Sequence, residues 1–268
     1  MLRTIALLVL LAPAASTQTA ATVTNLTLDQ QEEFLKTAKV VKTREASKGI
    51  TLTRRATLSD GNITHEASIQ TIDERKPQFE TPMGKELNFR DSFKFNIAAY
   101  RLGRLLGLGG MIPPSVQRTY SGRTGAFTWW IDDVIGDEQN RLSKKITAPD
   151  SDKWARQVHI KLVFDQLIYN MDRNQGNTLY DKNWRMWLID HTRAFRLFTT
   201  LPDQKVLQRC DAQLLKKLRQ LDENTLKAEL GEWLGQGEIK GLLARRDRIV
   251  AIFEKLGPSS LFIWLPEE

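Results

Sequence analysis

The apolar residues of this 268-residue chain change their period near its midpoint, and that change limits the fold more than any other feature. Between Val40 and Ile131 they fall mostly in short strand-like runs separated by turn residues, alternating over 63–72 and interrupted by one helical stretch. After Ala148 they recur every three to four positions. Period two places alternate side chains on the two faces of a strand, whereas a period near 3.6 draws one stripe along a helix. A strand-rich half followed by a helix-rich half predicts an α+β fold, with sheet and helices segregated along the chain.

The first half resolves into elements. Val40-Val41 begins one extended run, and Ser47-Lys48-Gly49 breaks it. Residues 50–58 form a second, and Ser59-Asp60-Gly61-Asn62 is a strong hairpin turn, because Asp-Gly tolerates the positive φ that a tight turn needs. In residues 63–72 Ile63, His65, Ala67, Ile69 and Thr71 share one face, which completes a three-strand antiparallel meander. Residues 74–88 read as a loop leading to a helix over 91–106, capped by Asp91 or Ser92. Two strands follow, over 115–120 and 124–131, joined at Ser121-Gly122. In the second half Asp150 or Asp152 caps a long helix with Trp154, Val158, Leu162, Val163 and Leu167 inward. A polar loop, short strands near 179–180 and 186–189, and three helices between 204 and 256 complete it, with Gly257-Pro258 as a stop.

The ends and the composition bound the setting. Met1-Leu2-Arg3, an apolar run over 5–11 and small residues around Ala14-Ala15-Ser16 have the order of a secretory signal, cleaved between residues 14 and 21. The run is short for a bilayer span and no later stretch is longer, so the mature chain is expected to be secreted or periplasmic, with no membrane span. Cys210 is the only cysteine, which excludes an intrachain disulfide; it shares helical spacing with Val206, Leu207, Leu214 and Leu215 and reads as a buried small hydrophobe. Thirty-nine Lys and Arg against 32 Asp and Glu leave +7, a balance suited to anionic partners such as nucleotides. With no clustered basic run, nucleic acid is not an expected partner. No zinc spacing and no Gly-x-Ser-x-Gly element is present.

Chemistry concentrates in Asn170-Met171-Asp172-Arg173-Asn174-Gln175-Gly176-Asn177 and in Asp190, which follows the apolar run Met186-Trp187-Leu188-Ile189. Phosphoryl transfer to a hydroxyl needs a carboxylate at the acceptor and an amide oxygen with a second carboxylate to hold the metal ions on the nucleotide phosphates. Protein kinases carry these parts in the same order, with the catalytic Asp and Asn at this same spacing. Asp172 and Asn177 also suit a plain turn, and Asp190 a strand end.

Asp172-Arg173 with Asn177, followed by Leu188-Ile189-Asp190-His191-Thr192-Arg193-Ala194-Phe195, resembles the atypical kinases: the phosphatidylinositol kinase-like, HipA-like and secretory-pathway (Golgi casein kinase-like) groups. The resemblance covers residues 40–200 and implies a two-lobed kinase-like fold with a five-stranded antiparallel sheet in the first lobe and mainly helices in the second. It implies ATP with Mg²⁺ or Mn²⁺ as cofactors and a hydroxyl-bearing acceptor as substrate. Asp172 would be catalytic, and Asn177 and Asp190 would hold metal. Nucleotide would meet Lys76 of Lys76-Pro77, the loop Ser47, Lys48 and Gly49, and Trp130 and Asp132 near the hinge. These groups usually carry a Glu on the helix after the lysine, and Asn96 of Asn96-Ile97-Ala98-Ala99-Tyr100 stands there, with Glu80 or Glu86 as substitutes. The implied division is a signal over 1–20, a leader over 21–38, a first lobe over 39–133 and a second over 134–268. A pseudokinase without turnover and a basic extracytoplasmic binding module remain as alternatives.

Overall fold

The computed structural model describes residues 26–45, 53–81, 84–170 and 172–265. The signal segment and Ser47, Lys48 and Gly49 lie outside the described residues. Helix α1 (Leu28–Thr37) opens with a reciprocal cap, in which Gln30 N–H donates to Thr27 Oγ1 and Thr27 N–H to Gln30 Oε1. It buries Phe34 and Leu35 against a sheet.

That sheet contains β1 (Lys39–Glu45), β2 (Arg54–Ser59) and β3 (Thr64–Gln70) as the expected meander. The Asp60 carboxylate accepts the N–H groups of Asn62 and Ile63 at 2.8 and 2.7 Å, and Gly61 takes a φ of 96°. Residues 74–88 are not a loop: β4 (Asp73–Thr81) and β5 (Gly84–Ser92) form a separate two-stranded hairpin. Charged residues on both faces hide its period. Pro77, which has no N–H to donate, and Asn88 opposite it are both skipped in the pairing register, and Phe79 stacks on Phe89 with centroids 4.2 Å apart.

Helix α2 (Lys94–Leu105) begins later than expected, with Phe93 at the cap position and no side-chain cap. Ser92 Oγ does accept the Lys94 N–H at 3.3 Å, but Asp91 is turned to other use. Strands β6 (Ser115–Tyr120) and β7 (Arg123–Trp129) close an antiparallel sheet of order β1-β2-β3-β7-β6.

Next come β8 (Val134–Asp137), α3 (Glu138–Ser143) and α4 (Ser151–Ile168), the last capped by Asp150. Trp154, Val163 and Leu167 of α4 are buried as expected, whereas Val158 and Leu162 are half-buried. Strands β9 (Thr178–Asp181) and β10 (Met186–Leu188) join β8 in a three-stranded antiparallel sheet. Cys210 is buried, yet it sits in β11 (Cys210–Asp211) and not on a helix. Helices α5 (Ala212–Gln220), α6 (Glu223–Leu230) and α7 (Gln236–Leu256) follow, and β12 (Leu261–Phe262) pairs parallel with β11.

One apolar cluster runs through α2, α4, β9, β10 and α5–α7, and a second joins α1 to the five-stranded sheet. Arg245 of α7, fully buried, donates to Leu167 O at the end of α4 and to Arg196 O and Phe198 O. Burial pushes its guanidinium down to about 10. These bonds fix the chain just beyond Asp190. No helix among the described residues is long and apolar enough to cross a membrane.

Candidate active site

Tyr169 ends α4 in the left-handed region with a φ of 49°, which turns the chain into the loop that carries Asp172. Asp172 N–H donates to Asn170 Oδ1 at 3.0 Å, and Asp172 O accepts from Asn174 N–H at 2.8 Å and from Asn177 Nδ2 at 3.2 Å. Asn177 thereby commits its amide nitrogen to the loop and keeps Oδ1, the atom that binds cations.

Arg173 ties this loop to Asp190. Its Nε lies 3.1 Å from both Asp165 oxygens, and its Nη1 donates to Asn177 O at 2.9 Å and Ile189 O at 2.7 Å. Ile189 N–H returns to Asn177 O at 3.1 Å. So the residue before Asp190 is bonded directly to Asn177. The structure thus brings the loop of Asp172 and Asn177 beside the segment that carries Asp190.

Asp190 itself is left-handed, with a φ of 53°, and its Oδ1 accepts the Thr192 hydroxyl at 3.0 Å. The next peptide N–H, that of His191, donates to Asn96 Oδ1 at 2.7 Å, and Asn96 Nδ2 donates to Gln70 Oε1 at 2.6 Å. A buried chain of amides therefore runs from the end of β3 through α2 to the residue after Asp190. His191 is fully buried; desolvation, aided by the Arg173 charge, holds its imidazole well below the usual range and keeps it neutral.

Asp91 was readable only as a helix cap. Here Ser92 N–H donates to Thr192 O at 2.9 Å, which lays the end of β5 beside the segment after Asp190. The Asp91 carboxyl, 7% exposed, lies beside the Thr192 hydroxyl that donates to Asp190, and its Oδ1 is buried without a partner. Burial lifts its titration above the usual carboxylate range, opposed by the Thr192 hydrogen bond and reinforced by the Asp190 charge.

The nucleotide candidates are placed less uniformly. Lys76 lies on β4, half-exposed, with Nζ 2.8 Å from Glu74 and over the Phe79 and Phe89 rings. In kinases the lysine of the third strand pairs with a Glu on the following helix. Here Asn96 meets Gln70 of β3 and not Lys76, and the contact is a neutral amide pair. Neither substitute Glu serves Lys76. Glu80 pairs with Lys85, and Glu86 with Arg193 and Arg196. Trp129 is core, stacked on His65 and edge-on to Phe34. Trp130 has one face under the Arg55 guanidinium at 3.9 Å, and Asp132 is 2.9 Å from His65 Nε2.

The oxygen donors of Asp190 and Asn177, with Asp91 beside them, are the hard ligands that Mg²⁺ and Mn²⁺ prefer. No cluster of three or more His, Cys, Asp or Glu that could hold a metal occurs among the described residues. A site here must therefore use the amide oxygen and, in the usual way for Mg²⁺, water and substrate phosphate.

No family model matches this chain, and no curated protein matches it in sequence. Among solved structures, hydra Fam20 with sugar superposes with a TM-score of 0.63 at 17% identity, over 88% of this chain and 92% of that one. The Helicobacter pylori proinflammatory kinase CtkA gives 0.48 at 11% identity, over 83% and 95%. The superposition on Fam20 agrees with the atypical-kinase resemblance carried by Asp172, Asn177 and Asp190. The likeness to Fam20 is one of fold, and that fold is kinase-like.

Proposed function

We propose that this chain transfers a phosphoryl group from ATP to a hydroxyl acceptor. The nucleotide would lie in a cleft between a sheet-rich lobe and a helical lobe. One observation carries the reading: Arg173 and the hydrogen bond from Ile189 N–H to Asn177 O hold the loop of Asp172 and Asn177 against the segment of Asp190. Asp172 orients the acceptor hydroxyl and takes its proton as the new O–P bond forms and the bond to ADP breaks. Asn177 Oδ1 and the Asp190 carboxylate hold the divalent ion. When bound, Mg²⁺ or Mn²⁺ supplies neutralisation of phosphate charge. Arg173 positions both ligands and touches no reacting atom.

The acceptor would present its hydroxyl from a protein, a lipid or a sugar. The first twenty residues support action outside the cytoplasm. A second reading, nucleotide binding without turnover, is favoured by the Gln70–Asn96 amide pair, which brings no ammonium to the phosphates. Labelled ATP with Mn²⁺ or Mg²⁺ separates them. Wild type should consume ATP or label itself, and Asp172→Asn should bind nucleotide yet transfer roughly a hundred-fold more slowly or worse. Binding without turnover in wild type would establish the second reading. Full transfer by Asp172→Asn would show that the catalytic loop is misassigned.

A further inference from the structure

A buried carboxylate oxygen without a hydrogen-bond donor is unfavourable, and native structures resolve such atoms with a partner, a water or an ion. Asp91 poses that problem beside Asp190. Its side chain is more than nine-tenths buried, and its Oδ1 has no partner. The Thr192 hydroxyl, beside both carboxylates, has a single proton and already donates to Asp190. The cations nearby are committed: Arg193 to Glu86 at 2.7 Å, Arg196 to Glu86, and Lys94 to Asp73 at 3.0 Å. The backbone bond from Ser92 to Thr192 holds the two carboxylates in this relation.

We propose that Asp91 is a ligand of the divalent cation, shared with Asp190 and Asn177. The proposal rests on the reading of this site as a metal–nucleotide site. Two carboxylates match the charge of one Mg²⁺ or Mn²⁺, and three protein oxygens leave room in an octahedron for phosphate oxygens and water. It also explains why the acid lies at the end of β5. Asn96 of α2 brings no charge and spends both polar atoms, on His191 and on Gln70. The negative charge that a Glu at that position would supply is provided from Asp91 instead.

The test is a titration with Mn²⁺, alone and with a non-hydrolysable ATP analogue, followed by the electron paramagnetic resonance signal of the free ion. Wild type, Asp91→Asn, Asp190→Asn and the exposed control Glu33→Gln are compared, each with a melting curve in metal-free buffer and in Mn²⁺. Asp91→Asn should weaken Mn²⁺ binding at least tenfold, Asp190→Asn should do so at least as strongly, and Glu33→Gln should match wild type. Without metal, Asp91→Asn should melt above wild type, because an unpaired buried charge is gone, and it should lose the Mn²⁺-dependent rise. Mn²⁺ binding by Asp91→Asn within twofold of wild type would overturn the assignment of Asp91 and leave the Asn177–Asp190 site standing. No Mn²⁺ binding by wild type under either condition would overturn both. Failure of both Asp91→Asn and Asp91→Ser to fold would also overturn it, since removal of that charge should stabilise the metal-free protein.

Discussion

Replacing Arg173 by Met tests whether the site is held together as described. The Arg173 and Asp165 side chains are 9% and 10% exposed, so the variant leaves a buried carboxylate without its ion-pair partner, with only a long bond from Asn170 Nδ2 at 3.4 Å and the more distant Lys161 charge. Breaking such a pair from one side costs about 3–5 kcal/mol. Ile189 O loses its Arg173 donor as well, while Asn177 O keeps the Ile189 N–H. An orphaned buried acceptor adds about 1–3 kcal/mol. Arg173 Nη2 is itself buried without a partner, which trims the total. The net loss should be about 4 kcal/mol, a large part of the roughly 5–15 kcal/mol of a native domain. At about 2–4 °C per kcal/mol for a chain of this size class, the melting temperature should fall by about 10 °C. Urea unfolding and thermal melts give the single-variant values, and Asp165→Asn with Arg173→Met completes a cycle. The double variant should regain at least half of the loss, because the unpaired charge has gone with its partner. A loss below about 1 kcal/mol for Arg173→Met, or a double variant as unstable as the summed singles, would refute the buried clamp.

Three further outcomes follow from the geometry. With Asn177 and Asp190 as ligands, ATP should raise the melting temperature of wild type only when Mg²⁺ or Mn²⁺ is present, and Asp190→Asn should abolish that rise; equal shifts with and without metal would count against the site. The Ile63 and Asn62 N–H groups hold the Asp60 carboxyl below its usual range, so its contribution is present above the unfolded pKa and fades as the pH falls through the lower folded value. Asp60→Ala should therefore narrow the stability gap between pH 6 and pH 2, and an unchanged acid limb would exclude that role. A Cβ on Gly125 of β7 would collide with Gln70 O and lie 2.8 Å from Thr71 Cγ2, so Gly125→Ala should lose about 1–3 kcal/mol in denaturant unfolding.

Local signals carried the elements that were legible in the residues. The Asp60-Gly61 turn, the meander around it, the Asp150 cap and the Gly257 stop each depend on neighbours within a few positions, and each stands where the pattern placed it. The loop from Asp172 to Asn177 and Asp190 after its strand were legible for the same reason. The hairpin of β4 and β5 was not, because polar residues on both faces erase the period-two signal and Pro77 argues against a strand. Cys210 shares a helical spacing that the chain does not use, since Asp211 caps α5 and leaves Cys210 before it.

The pairings across long separations were hidden altogether. Nothing in Lys76-Pro77 shows that β3 ends six residues earlier at Gln70, or that Asn96 turns to Gln70 and His191. This substitution has a consequence for nucleotide binding. An ion pair and an amide pair have the same net charge, so the fold loses little by the exchange. In the proposed nucleotide site the phosphates would meet no ammonium from this pair, and the nearby cations Arg90, Arg193 and Arg196 are already bound to Glu238 and Glu86. On the proposed reading, neutralising the phosphates would rest chiefly on an ion held by Asn177 and Asp190, with Asp91 buried at its side. Affinity for ATP in this chain should depend on divalent metal more steeply than in a site with its own lysine.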